Sequence, residues 1–198
     1  KFRKIIFMSK SIKYYKAIFM DRDGVINEDF GYVHLWDKFK FCTNVVKGLE
    51  ILSSYDYKLI IITNQSGISR NLFSEKQYYD LTKRYLKYLK NKNIDIDGVY
   101  HCPHHPLFSP SPYDKCNCRK PKSGLYERAA YEHGITLKES IAIGDKISDM
   151  EAAFNCGIQQ RYLINSKNEM SHKNNDLITN SFKSLYEFSN FFKNSYSF

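Results

Sequence analysis

The sequence has no apolar run near the roughly 20 residues a bilayer-spanning helix needs, so a helical membrane protein is not among its readings. The basic start "KFRKIIFMSK" holds an apolar core of only Ile5 to Met8, too short for the hydrophobic stretch of a signal peptide. Nothing therefore predicts export, and a cytoplasmic location is expected. The segment before Ser9 reads as lying outside the natural chain, with Met8 as the initiator. No internal repeat is visible. The cysteines number five, an odd total that argues against a disulfide framework. Negative charge is also scarce: 21 Asp and Glu against 30 Lys and Arg leave a net charge of +9. The excess is dispersed along segments such as "KRYLKYLKNK" and "KSIKYYK", which read as solvated helix faces and not as a nucleic-acid stripe.

What is present fits one globular domain. Hydrophobic residues make up 42% of 198, enough to bury a core in a chain rather short for two domains. Residues 1–15 are read as an extension and 16–198 as the domain. Strands are expected at 17–20, 58–63, 98–102, 140–144 and 161–164. Between and after them come helices at 44–55, 74–90, 123–133 and 147–156, with Ser74 as an N-cap and Tyr78, Leu81, Tyr85 and Tyr88 as an apolar stripe. A polar run "NSKNEMSHKNND" leads to a closing helix at 183–194. Such alternation predicts an α/β fold, a doubly wound parallel sheet with helices on both faces and no large cap domain.

In such folds ligands gather beyond the carboxyl ends of the strands. Here those ends carry "AIFMDRDGVINED" (Ala17 to Asp29), "TNQSG" (Thr63 to Gly67) and "GDKISD" (Gly144 to Asp149). Asp21 and Asp145, with Asp149 nearby, supply the hard oxygen ligands that Mg²⁺ takes. A divalent ion would also relieve the repulsion between a carboxylate nucleophile, Asp21, and a phosphate monoester. Asp23, two residues on, can turn its backbone carbonyl to the metal and use its side chain as acid and base. Gly24 lets the chain turn away without a Cβ. Thr63 and the amides after it, with Lys120, suit phosphoryl oxygens. Arg119, with its planar fork, suits a second, unreacting phosphate.

A second cluster lies in "CPHHPLFSPSPYDKCNCRKP". Cys102, His104 or His105, Cys116 and Cys118 have ligand types and spacing for a closed, tetrahedral Zn²⁺ site. With four protein ligands the ion would be structural, bracing loop 102–118 and holding Arg119 and Lys120 towards the strand edge.

"DRDG", "TNQSG", the lysine of "CRKP" and "GDKISD" resemble, in order, the four motifs of the haloacid dehalogenase superfamily; the resemblance covers residues 16–165. Val25 stands where many members have Thr, a position given no catalytic role here. "DRDGVINEDFGYVH", "TNQSGISR" and the cysteine loop together resemble the D-glycero-D-manno-heptose 1,7-bisphosphate 7-phosphatases of surface-sugar biosynthesis. That resemblance implies Asp21 as nucleophile, Asp23 as acid/base, and Mg²⁺ on Asp21, the Asp23 carbonyl and Asp145. It implies substrate contacts from Asp29, Phe30, Gly31 and Tyr32, from Thr63, Asn64, Gln65 and Ser66, and from Arg119, Lys120 and Lys146. It also favours His104 over His105 as the zinc ligand. The partner expected is a small sugar bisphosphate, the protein is expected to be a monomer, and neither nucleic acid nor membrane is expected. A histidinol-phosphate phosphatase and a zinc-braced nucleic-acid protein remain the competing readings.

Overall fold

A computed structural model of the chain describes residues 14–164 and 176–195. Ala17 to Met20 of β1 (Lys16–Met20) are all buried, because the strand lies mid-sheet with helices on both sides. Alternate residues serve opposite faces. Ile18 and Met20 pack with α1 (Val45–Leu52), α2 (Glu75–Lys90) and α5 (Leu185–Ser195), whereas Ala17 and Phe19 pack with α3 (Gly124–His133) and α4 (Ile147–Asn155). The other strands are β2 (Tyr57–Asn64), β3 (Gly98–Cys102), β4 (Ile141–Gly144), β5 (Gln160–Ile164) and β6 (Asn180–Phe182). All neighbours run parallel, in the order β3-β2-β1-β4-β5-β6. The order diverges from the β1/β4 pair, which makes that pair the topological switch point.

The expected elements form, with shifts that have local causes. α1 stops at Leu52, three residues early, where the hydroxyls of Ser53 and Ser54 donate to the carbonyls of Glu50 and Ile51. Ser74 caps α2 as expected: its hydroxyl accepts from the Gln77 amide while the Gln77 side chain accepts from the Ser74 amide. Within α2 the buried stripe is Tyr78, Leu81, Tyr85 and Leu89. Tyr88 is instead 39% exposed and rests against Phe41. β6 was not expected, since "NSF" is too short to carry a period; its place comes from pairing with Tyr162 to Ile164.

Residues 1–13 and most of the polar run after β5 lie outside the described residues. Tyr15 is already tied in, its amide donating to Gly134 and its carbonyl accepting from Thr136. No helix among the described residues is long and apolar enough to cross a membrane. Two loops, 21–44 and 103–123, leave the carboxyl edge of the sheet, and neither builds a separate domain.

Candidate active site

Asp21 follows β1 directly, and its amide still donates to Ile143 of β4. Its carboxylate is fixed twice, by the Arg22 amide at 2.7 Å and by Lys120 Nζ at 3.0 Å. Lys120 comes from the cysteine loop, yet it is only 3% exposed. Its ammonium also donates to the Ile62 carbonyl at 2.8 Å and lies 2.6 Å from Asp149, so one charge joins β1, β2 and α4. Burial works against that ammonium, but Asp149 and Asp21 outweigh it and hold its pKa above the usual range. Asn64 fastens the Lys120 backbone, donating to its carbonyl and accepting from its amide, each at 3.1 Å.

Carboxylate oxygens of Asp21, Asp145 and Asp149 all lie within 4.8 Å of one another. Burial, with the neighbouring acids, pushes Asp21 up to about 7 against the opposing pull of Lys120. Burial likewise pushes Asp145 up to about 6, although Lys146 opposes it. Among the described residues, Asp145 Oδ1 is buried with no hydrogen-bond partner. Asp149 is differently placed: one oxygen meets Lys120 and the other accepts from the Lys146 amide at the start of α4. Crowded, part-satisfied hard oxygens of this kind fit a divalent cation such as Mg²⁺, with Asp21 and Asp145 as the open pair. Gly24 makes the approach possible. It sits at φ +90°, and a Cβ there would lie 2.3 Å from Asp145 Oδ2.

Asp23 accepts from three side chains: Arg22 Nη2 at 2.8 and 2.9 Å, Asn27 Nδ2 at 2.9 Å and Gln65 Nε2 at 2.9 Å. The same Gln65 nitrogen donates to Thr63 Oγ1 at 3.0 Å, linking the ends of β1 and β2. Arg22 and Asn27 escaped the sequence reading, although a cation set between two acids was a signal for the first.

These groups open on one cleft of about 590 Å³. Asp21, Asp23, Thr63, Asn64, Gln65, Ser66 and Lys120 line it. Asp29, Gly31, Tyr32, Arg119 and Lys146 stand at its margin, joined by Ser148, which the sequence reading passed over. Lys146 Nζ bridges the mouth, 3.1 Å from Asp29 and 3.5 Å from Asp145. Phe30 does not line the cleft; it is 60% exposed and faces an adjoining hollow, with Lys40 Nζ 5.4 Å above its ring.

The cysteine loop flanks this cleft. One ligand atom each from Cys102, His104, Cys116 and Cys118 fits within 4.8 Å, a soft donor set able to hold a metal. The hydrogen bond with Cys102 pushes Cys118 down to about 5 and Cys102 up, so the cluster favours a thiolate. His105 stands outside, accepting from Arg70 at 2.8 Å. All five cysteines are free, and Cys42 and Cys156 are half-buried and apart from the cluster. Arg119 Nη1 donates to the His104 carbonyl at 3.3 Å, which ties a cleft residue to the loop.

Comparison with known proteins finds relatives over most of the chain. A family model described as polynucleotide kinase 3 phosphatase matches residues 18–183. The D-glycero-beta-D-manno-heptose-1,7-bisphosphate 7-phosphatase of Haemophilus influenzae is 43% identical over 149 residues, covering 75% of this chain and 81% of that protein. The corresponding alpha-bisphosphate enzyme of Campylobacter jejuni is 40% identical over 178 residues, covering 90% and 96%. The crystal structure of the D,D-heptose 1,7-bisphosphate phosphatase from B. bronchiseptica, complexed with magnesium and phosphate, superposes with a TM-score of 0.80. It is 26% identical, and the match covers 91% of this chain and 99% of that one.

The raised acids set a pH dependence. A carboxyl group whose folded pKa lies above its unfolded value lends stability at low pH, and loses it as pH rises through the folded pKa. For Asp145 and Asp21 that window runs from about 4 to about 7. Lys120 is charged throughout it. Metal-free protein should therefore lose stability through these groups as pH rises from about 4 to about 7, and magnesium should raise Tm more at pH 8 than at pH 5.5. Calorimetry with and without the ion checks this; equal shifts at both pH values would contradict it.

Proposed function

The chain belongs to the D-glycero-manno-heptose 1,7-bisphosphate 7-phosphatases of the haloacid dehalogenase superfamily, within the span of the polynucleotide kinase 3 phosphatase model, and we propose that its cleft removes the 7-phosphate of D-glycero-D-manno-heptose 1,7-bisphosphate. The observation that carries the reading is the buried Asp21–Lys120 contact, 3.0 Å long, beside Thr63 and Asp23 in one cleft. A nucleophile, a phosphoryl-binding cation and an acid/base then surround a single phosphoryl group.

An Asp21 oxygen attacks phosphorus, and the bond from phosphorus to the C7 oxygen breaks. Asp23 gives its proton to that departing oxygen. The aspartyl-phosphate is opened by water, whose proton returns to Asp23, and Asp21 is released with inorganic phosphate. Thr63 Oγ1 and Lys120 Nζ donate to the phosphoryl oxygens. Asp21, the Asp23 carbonyl and Asp145 would hold Mg²⁺, which would offset the charge of phosphate and nucleophile. At the margin Arg119 would grip the 1-phosphate, with Lys146 beside it. The Cys102, His104, Cys116 and Cys118 set would hold a structural Zn²⁺ that keeps Arg119 and Lys120 in place. Free thiols fit a reducing cytoplasm. A monomer feeding surface-sugar synthesis completes the proposal.

Phosphate release should be measured on both anomers of the heptose bisphosphate, the 7-monophosphate, fructose 1,6-bisphosphate, histidinol phosphate and a 3′-phosphorylated oligonucleotide. A heptose bisphosphate should exceed the last three by about 10²-fold in kcat/KM and also exceed the 7-monophosphate. Asp21→Asn should abolish turnover on all of them. Faster release from histidinol phosphate or the oligonucleotide would overturn the substrate assignment.

The two metal sets should separate chemically. After mild EDTA, elemental analysis should find about one zinc per chain while activity returns with magnesium alone. Finding no zinc in freshly purified protein would remove the structural ion from the proposal.

A further inference from the structure

We propose that Arg22 is the positioning residue for Asp23, holding the acid/base carboxylate on the leaving-group side of the cleft and tying it to the loop at the cleft mouth. The inference rests on the phosphatase reading above and adds a residue that the reading does not use.

Arg22 is 1% exposed. A buried guanidinium is costly unless it is well paired, so its contacts say what it is kept for. Every side-chain hydrogen bond it makes among the described residues runs through Nη2. That nitrogen reaches both Asp23 oxygens, at 2.8 and 2.9 Å, and the Val33 carbonyl at 2.8 Å. Nε and Nη1 are buried with no partner among the described residues. The rest of the group packs against α2, with its carbon 5.9 Å from the centre of the Tyr78 ring.

Neighbours in an extended strand point to opposite faces, so Arg22 and Asp23 would not meet there. A turn brings them together: the amides of Ile26 and Asn27 both donate to the Arg22 carbonyl, and the Gly24 amide donates to Asn27. Asn27 and Gln65 complete the grip on Asp23, but both are neutral. Among the described residues Arg22 alone brings charge to Asp23, and it alone joins Asp23 to Val33, between cleft residue Tyr32 and His34. Proton transfer is sensitive to sub-ångström placement, so this grip bears on both transfers of Asp23. The first delivers a proton to the oxygen leaving phosphorus and the second returns one from water; kcat/KM reads the first. The plainer reading makes Arg22 a staple for loop 29–35. A staple would disturb binding of every substrate alike.

Leaving groups separate the two readings. The alkoxide leaving a sugar phosphate needs a proton, whereas p-nitrophenolate departs without one. kcat/KM covers the steps through cleavage of that bond, so it should be measured on both substrates for wild type, Arg22→Met, Arg22→Lys and Asp23→Asn. Each Arg22 variant should also be combined with Asp23→Asn. Arg22→Met should lower the sugar-to-aryl ratio about 30-fold, and Arg22→Lys should restore part of it. In the Asp23→Asn background neither Arg22 change should move the ratio more than about twofold, the signature of a residue acting through Asp23. If Arg22→Met fails to fold, Arg22→Lys carries the test, with a fall of about fivefold expected. Equal losses on both substrates, or an undiminished effect without Asp23, would overturn the proposal. Wild type inert on both substrates with magnesium would sink the phosphatase reading instead.

Discussion

The Lys120 ammonium, 3.0 Å from Asp21 and 2.6 Å from Asp149 with almost no solvent contact, is the charge on which the other strand-end groups depend. Three acids converge at the switch point of the sheet, and burial pushes two of them, Asp21 and Asp145, towards taking up protons. A nucleophile must stay ionised. Lys120 opposes that drive at Asp21 and gives Asp149 a partner, so Asp149 can hold the start of α4 through the Lys146 amide. What remains open is the Asp21–Asp145 pair, which is the part of the site suited to a cation.

That arrangement explains why an irregular, proline-rich loop belongs beside a regular sheet. Lys120 is not on a strand; it arrives from a loop that must be stiff to deliver a charge to within hydrogen-bond distance. The Cys102, His104, Cys116 and Cys118 cluster closes the loop two residues earlier, and Asn64 pins the Lys120 backbone to the end of β2. Arg119, tied to the His104 carbonyl, stays half-buried while Lys120 is buried, two adjacent cations with different surroundings in one cleft.

The strands and the acids at their ends were legible because burial on both faces leaves long apolar runs that break abruptly into polar residues. The cysteine cluster was legible from ligand type and spacing. Choosing His104 over His105 was not; in the structure Arg70 claims His105. Arg22 was illegible because its meaning depends on a turn that folds it back onto its neighbour. α2 shows the limit of counting. Tyr88 and Leu89 both follow Tyr85 at helical spacing, and packing buries Leu89. β6 exists only because β5 offers it a partner. Phe30, which the family resemblance implies as a substrate contact, lines the hollow next to the cleft.

The buried charge balance is most directly tested by urea unfolding of metal-free Lys120→Met at pH 8. Removing one partner leaves two buried carboxylates uncompensated, so the variant should lose about 3–5 kcal/mol. Adding Asp149→Asn should return part of that stability while leaving activity absent. A Lys120→Met protein as stable as wild type under those conditions would contradict the claim that this ammonium balances the site.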